Sequence, residues 1–133
     1  MQTHVIRQYM TASPETIAAD LTLAQARDRM FQLQARHLPV VENRELVGIL
    51  SDRDLRLAES LNHDLDATPV RQVMTQMTFT CGPEAHLHAV AAEMAEHRYG
   101  SAVVVDPEHP GHVLGLFTTT DALTALARIA AHK

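Results

Sequence analysis

The strongest constraint on this chain is that most of it is written twice. Ile6-Arg7-Gln8-Tyr9-Met10-Thr11 returns as Val70-Arg71-Gln72-Val73-Met74-Thr75. The same spacing of 64 residues carries Thr16 onto Thr80, Leu23 onto Leu87, Met30 onto Met94 and Val40-Val41 onto Val104-Val105. The second copy is then three residues longer, so Gly48 and Asp54 meet Gly115 and Asp121 at a spacing of 67. The extra residues fall in Pro107 to His112, where two prolines and a glycine predict a turn, the place where an insertion costs least. One copy is a supersecondary unit with too little core to stand alone, which predicts two copies packed together.

Periodicity separates the elements within each copy. Leu23, Ala26, Met30 and Leu33 recur at helical spacing, as do Leu87, Val90 and Met94, the second run ending at the polar His97. The β-branched runs at Leu38 to Val41 and Ala102 to Val105 lead through a short or a longer loop, Glu42 to Glu45 or Asp106 to His112, into Leu46 to Leu50 or Val113 to Phe117. These pairs read as hairpins. A second helix follows each, Asp52 to Ser60 and Thr119 to Ala130, and a short strand near Thr16-Ile17 or Phe79-Thr80 precedes the first helix. The expected fold is α+β: two β-α-β-β-α repeats, residues 1–61 and 70–133, joined by a polar linker at 62–69 and packed sheet to sheet about a pseudo-twofold axis.

Composition removes several functions. A chain of 133 residues with 46% hydrophobic residues supports a packed core unaided, and its one cysteine, Cys81, rules out an intramolecular disulfide and a cysteine-based zinc cluster. No run approaches eighteen apolar residues and Met1 to Tyr9 lacks a signal peptide's apolar region, so neither membrane spanning nor secretion is expected and a cytoplasmic location is. Sixteen acids against eleven bases give no basic stripe for nucleic acid. Nine histidines carry the net charge from −5 through zero as they protonate, which predicts poorest solubility at mildly acid pH. No metal site is expected of them: His86 and His88 do not share a helical face, and His109 and His112 fall in the long loop. Cys81 reads as a small buried hydrophobe with no base or cation beside it.

The chemistry concentrates at the end of each hairpin, in Gly48-Ile49-Leu50-Ser51-Asp52-Arg53-Asp54 and Gly115-Leu116-Phe117-Thr118-Thr119-Thr120-Asp121. One reading is a helix start, with Ser51 and Thr118 as N-caps and the aspartates completing capping boxes. The other is a ligand site: an aspartate at the mouth of a helix accepts hydrogen bonds from both hydroxyls of a ribose, while free backbone N–H groups hold phosphate oxygens. Spacing alone does not choose, since duplication copies a cap as faithfully as a ligand site.

The duplicated unit, its Met-Thr opening, the Pro-Val-Val strand and the Gly-x-x-Ser/Thr-x-x-Asp ending together resemble a pair of cystathionine-β-synthase-type (CBS) domains, the Bateman module. The resemblance runs from about Val5 to Ile129. It implies a regulatory module without catalysis that binds AMP, ADP or ATP, or in the alternative NAD or S-adenosylmethionine, in clefts between the two repeats. Carried over by position, it gives Asp54 and Asp121 the ribose hydroxyls, Ser51 and Thr118 the ribose or phosphate, and Thr16 and Thr80 the adenine side. The backbone of His37, Leu38 and Pro39 would read the adenine edge in one cleft, that of Ser101, Ala102 and Val103 in the other. The copies depart in the phosphate region. The first offers Arg36, His37 and Arg53, the second Arg98, Ser101 and Thr120, so the first is better equipped for phosphate, and Arg36 or Arg98 serves its own cleft or the neighbouring one.

The resemblance also implies a homodimer formed through the second helix of each copy, where Ala122, Leu123, Leu126 and Ile129 make an apolar stripe that is either interface or core. On the length as given, output passes through an effector protein. Catalysis is not expected: there is no Gly-x-Ser-x-Gly elbow, no His-Glu-x-x-His and no Walker-type phosphate-binding loop. A scaffold that binds partner proteins and no small molecule is the remaining reading, in which both aspartates are caps.

Overall fold

The computed structural model describes residues 3–132; Met1, Gln2 and Lys133, the outermost residues of the two expected repeats, lie outside them. Seven strands and four helices are present among the described residues: β1 (Thr11–Ala12), β2 (Ile17–Ala18), α1 (Leu23–Leu33), β3 (His37–Glu42), β4 (Glu45–Ser51), α2 (Asp52–Ser60), β5 (Thr80–Cys81), α3 (Leu87–His97), β6 (Ser101–Asp106), β7 (His109–Thr118) and α4 (Thr119–Ala131). Short 3-10 turns at Ile6–Gln8 and Val70–Gln72 open the two copies. The fold is α+β with two sheets, one ordered β2-β3-β4 and the other β1-β7-β6-β5.

The compact units do not begin where the sequence copies begin. Glu15–Thr78 forms one unit, while the residues up to Pro14 join those from Phe79 onward to form the other. Each opening Met-Thr segment therefore packs on the hairpin of the other copy in sequence. Val70 is fully buried in the core of the 15–78 unit with Leu23, Val40 and Leu50, and Ile6 is fully buried in the second unit with Val104 and Phe117. The reason lies in the two motif glycines. A Cβ on Gly48 would meet the Thr75 carbonyl and the Met74 sulfur at 2.8 Å, and one on Gly115 would meet the Met10 sulfur at 2.5 Å and the Thr11 carbonyl at 3.1 Å. The bare backbone lets Ile49 exchange two hydrogen bonds with Thr75, and lets β1 pair with Leu116 and Gly115 of β7.

Residues 62–69, between the two copies, are tied to the first: the Leu65 and Thr68 carbonyls accept from Ala24 and Leu23 at the head of α1, and Thr68 is buried. One expectation needs correction. The three extra residues of the second copy do not lengthen a loop. Asp106 pairs with His109 across a two-residue connection, while Val105 pairs with Val113, so Pro110, Gly111 and His112 are a bulge within β7. The first hairpin closes through Asn43 and Arg44, both at positive φ, as the two-residue turn between right-twisted strands requires.

A proline sits in a central strand. Pro39 of β3 pairs with Ile49, and the lost N–H is tolerated because β2 starts only at Ile17, opposite Val40. At the equivalent place Val103 keeps its N–H and donates it to the Phe79 carbonyl at 2.9 Å. β5 accordingly begins one repeat position earlier than β2, and both short strands lie one residue later than the expected Thr16-Ile17 and Phe79-Thr80.

Candidate functional site

Within each unit the hairpin motif brings three pieces of chain together. In the 15–78 unit His37, first residue of β3, registers with Ser51, last residue of β4. The Arg36 carbonyl accepts from the Asp52 N–H at 2.8 Å, which fixes the first turn of α2 against the entry to β3. In the second unit Ser101 registers with Thr118, and the Gly100 carbonyl accepts from both the N–H and the hydroxyl of Thr119 at 3.2 Å. Each half-site is thus a strand start, a strand end and a helix start held by backbone bonds. Geometry made this way survives side-chain exchange, so the two copies can diverge chemically on one frame.

Both aspartates are caps. Ser51 Oγ accepts from the Asp54 N–H at 3.0 Å and Asp54 Oδ2 accepts from the Ser51 N–H at 2.9 Å; Thr118 and Asp121 repeat the pair at 3.2 and 2.9 Å. Capping engages Oδ2 alone, and among the described residues no hydrogen bond is recorded at Oδ1 of either carboxylate. One oxygen of each half-buried carboxylate therefore remains as an acceptor. The expectation of several free N–H groups at these helix starts needs revision. Of the first three in α2, Asp52 and Asp54 donate as above, leaving Arg53; in α4 the same count leaves Thr120. The cap and ligand readings are compatible at the carboxylate but compete for the helix N–H groups.

The remaining sequence-predicted residues divide by exposure. Leu38, Pro39, Ser101, Ala102 and Val103 are buried, so a ligand reaches backbone there and not their side chains. Pro39 has no N–H and that of Val103 is taken by Phe79, so neither copy offers a donor at this position. Thr16 is half-buried just ahead of β2, and Thr80 is exposed within β5. Arg36, Arg53, Arg98 and Thr120 are exposed. His37 is half-buried, and burial pushes its imidazole below the usual value, with Asp54 and Asp52 opposing and Arg36 adding to the shift. These couplings place one cation, one imidazole and two carboxylates around the head of α2. Cys81 is half-buried and its thiol is pushed up to about 11 by burial alone, the inert small hydrophobe that was expected.

Sequence reasoning missed an aromatic column in the second unit. Phe79 and Tyr99 stack with centroids 5.0 Å apart, and His97 stacks on Tyr99 at 5.2 Å. The signal was available in the repeat, because Phe79, Tyr99 and His97 fall on Glu15, Ala35 and Leu33 of the first copy. The expected stripe on α4 is split: Ala122 and Ile129 pack on the core, while Leu123 and Leu126 are 61% and 62% exposed. Beside it an apolar groove of about 470 Å³ runs between α3 and α4, floored by Ala91, Ala122 and Ala125.

The model for the CBS domain matches residues 6–60 and 70–128. The chain belongs to the CBS domain family. Its two CBS matches coincide with the two sequence copies. It is 33% identical over 114 residues to inosine-5'-monophosphate dehydrogenase of Bifidobacterium longum, a match covering 84% of this chain and 20% of that enzyme. It is 30% identical over 101 residues to the CBS domain-containing protein YhcV of Bacillus subtilis, covering 76% of this chain and 72% of that one. The CBS pair thus spans a fifth of the dehydrogenase. Among solved structures, the CBS domain pair of protein MJ0100 in complex with 5-methylthioadenosine and S-adenosyl-L-methionine superposes with a TM-score of 0.88 at 21% identity, over 96% of this chain and 99% of that one. CBSX2 in complex with AMP superposes at 0.83 and 20% identity, over 96% and 98%. At these identities the likeness is one of fold.

Proposed function

We propose that this CBS pair is a regulatory module that binds an adenosine-containing nucleotide, AMP, ADP or ATP, at one or both of its half-sites and passes the bound state to an effector protein. The observation that carries the reading is the capped aspartate: in both copies Oδ2 is fixed by the cap while Oδ1 remains as an acceptor beside a hydroxyl and an exposed backbone turn. A ribose diol supplies the two donors such an oxygen takes. Arg36, His37 and Arg53 support the phosphate in the first half-site, and Arg98, Ser101 and Thr120 the second. Thr16 and Thr80, with the backbone of His37–Leu38 and Ser101–Ala102, line the base. That MJ0100 holds adenosyl ligands and CBSX2 holds AMP on the same fold agrees with this chemistry.

The module works without catalysis of its own, in the cytoplasm and as a homodimer whose contact uses the exposed Leu57, Leu123 and Leu126. Among the described residues no helix is long and apolar enough to cross a membrane. The complete capping boxes favour one second reading, a scaffold that binds protein and no nucleotide. Thermal unfolding against AMP, ADP, ATP, NAD and S-adenosylmethionine separates the two. A ligand at one hundred times its dissociation constant adds about 2.7 kcal/mol, a rise of several degrees for a chain of this size. A rise with an adenine nucleotide is the expected result, and a flat response to all five supports the scaffold.

A further inference from the structure

The repeat also compares the outer faces of the two helix pairs position by position. In the first unit α1 and α2 lie antiparallel: the Leu65 carbonyl, past the end of α2, takes the Ala24 N–H, while Asp52 at the head of α2 donates to the Arg36 carbonyl past the end of α1. Arg27 of α1 reaches Glu59 of α2 at 3.9 Å across this seam. Phe31 stands one turn further along the same face of α1 and is 85% exposed. The seam of the first unit is therefore a filled ridge with a phenyl ring standing out of it.

In the second unit the same positions hold smaller or uncharged side chains. Arg27, Phe31 and Leu55 become Ala91, Ala95 and Ala122, and Glu59 becomes Leu126. The seam between α3 and α4 is left open as two hollows of about 470 and 400 Å³ that share Ala91 and Ala122, with Leu126 lining the first and Ala95 the second. Like faces fit each other badly. Ridge on ridge sets ring against ring, and hollow on hollow encloses apolar space whose lining loses its contacts. Ridge in hollow fills that space, as a knob enters a hole between packed helices. Arg27 enters with its charge already paired to Glu59, so the apolar seam receives no net charge. Counted in both copies, Phe31, Leu123, Leu126 and the alanine floor withdraw about 1,000 Å² from water before the flanking polar residues are added, close to the ~1,200 Å² where specific interfaces begin.

We propose that the chain pairs with a second copy head to tail: Phe31 on the α1–α2 ridge of one copy seats in the α3–α4 trough of the other, and the same contact is made in return. This rests on the homodimer reading above and gives that dimer a direction. It sets α2 of one copy beside α4 of the other, so the helix capped by Ser51 and Asp54 meets the helix capped by Thr118 and Asp121 across the interface. Unlike half-sites then face one another between copies, and a shift of either helix start is felt by the opposite one.

Sedimentation equilibrium of the wild type, Phe31→Ala, Ala95→Phe and an equimolar mixture of the two variants tests this. Both positions are exposed, so neither substitution disturbs folding. The wild type sediments as a dimer. Phe31→Ala removes the knob and Ala95→Phe fills the trough, so each variant alone loses both contacts and dimerises roughly tenfold more weakly or worse. The mixture recovers, because a pair with one chain of each kind keeps one intact knob in one open trough, which a dimer of like faces does not do. A mixture no tighter than its parents, or wild-type dimerisation by Phe31→Ala, overturns the head-to-tail arrangement and leaves the homodimer standing. A wild type that stays monomeric at about 100 μM is a different result, and it takes the homodimer reading down as well.

Discussion

The two copies of the Gly-x-x-Ser/Thr-x-x-Asp motif share every backbone bond that defines them and differ in almost every side chain around it. Both cap their helix with a hydroxyl and an aspartate, both lock the helix start to the residue before the strand, and both keep a glycine where a Met-Thr segment crosses. Outside that frame the first copy carries Arg36, His37 and Arg53, and the second carries Arg98 beside an aromatic column. The shared part is what folding needs, and the divergent part is where the proposed ligand chemistry of the two copies differs.

The largest expected differences come from the glycines. Gly48→Ala drives a Cβ into the Thr75 carbonyl, which is backbone and pinned by its own pairing, whereas Gly115→Ala presses chiefly on the flexible end of Met10. Denaturant unfolding should show a loss of about 3 kcal/mol for the first and about 1 kcal/mol for the second. Equal losses would mean that the two crossings are mechanically alike after all.

Next come the caps. Ser51→Ala and Thr118→Ala should each cost about 1 kcal/mol, and by similar amounts, because the boxes are geometrically the same. α1 is capped by Thr22, but the N-cap of α3 is His86, whose side chain makes no cap bond. His86→Thr should therefore stabilise by about 0.5 kcal/mol, and a neutral result would show that α3 is held by packing alone.

A smaller effect separates the copies by pH. Burial disfavours the His37 imidazolium, so the unfolded chain takes up that proton first as acid is added. Stability attributable to His37 is present at pH 7 and lost as pH falls through its ordinary value of 6.5. Thermal melts of wild type and His37→Gln between pH 7.5 and about 5 should converge toward acid pH, the wild type losing more. Parallel curves would place His37 in water. The smallest expected signal is Cys81: a thiol at about 11 against 9.0 holds roughly one hundredth of the ordinary thiolate, so alkylation at neutral pH should be correspondingly slow.

Most of the architecture was legible in the sequence because helices and hairpins are local and periodic. Asp52 to Ser60 was bounded to the residue, since its cap, its amphipathic face and its end are all written within it. What could not be read was non-local. β1 has two residues and no period, and it exists only because Leu116 and Gly115 meet it from the far end of the chain. Residues 62–69 read as a linker because most of their polar side chains face water, while the Leu65 and Thr68 carbonyls hold α1. The bulge in β7 carries turn residues within a paired strand, which composition does not distinguish from a loop. In the site, spacing found both aspartates, yet their roles as caps needed coordinates. The aromatic column was visible only as a difference between copies.

The most direct test of the central claim is calorimetric titration of AMP into the wild type, Asp54→Asn and Asp121→Asn. Asparagine keeps a carbonyl oxygen for the cap and removes the negative charge that a ribose diol requires. The account predicts binding to the wild type, with each substitution weakening AMP at its own half-site while the melting temperature stays within a few degrees. AMP binding unchanged in both variants, or no binding by the wild type, would contradict it and leave the two aspartates as helix caps alone.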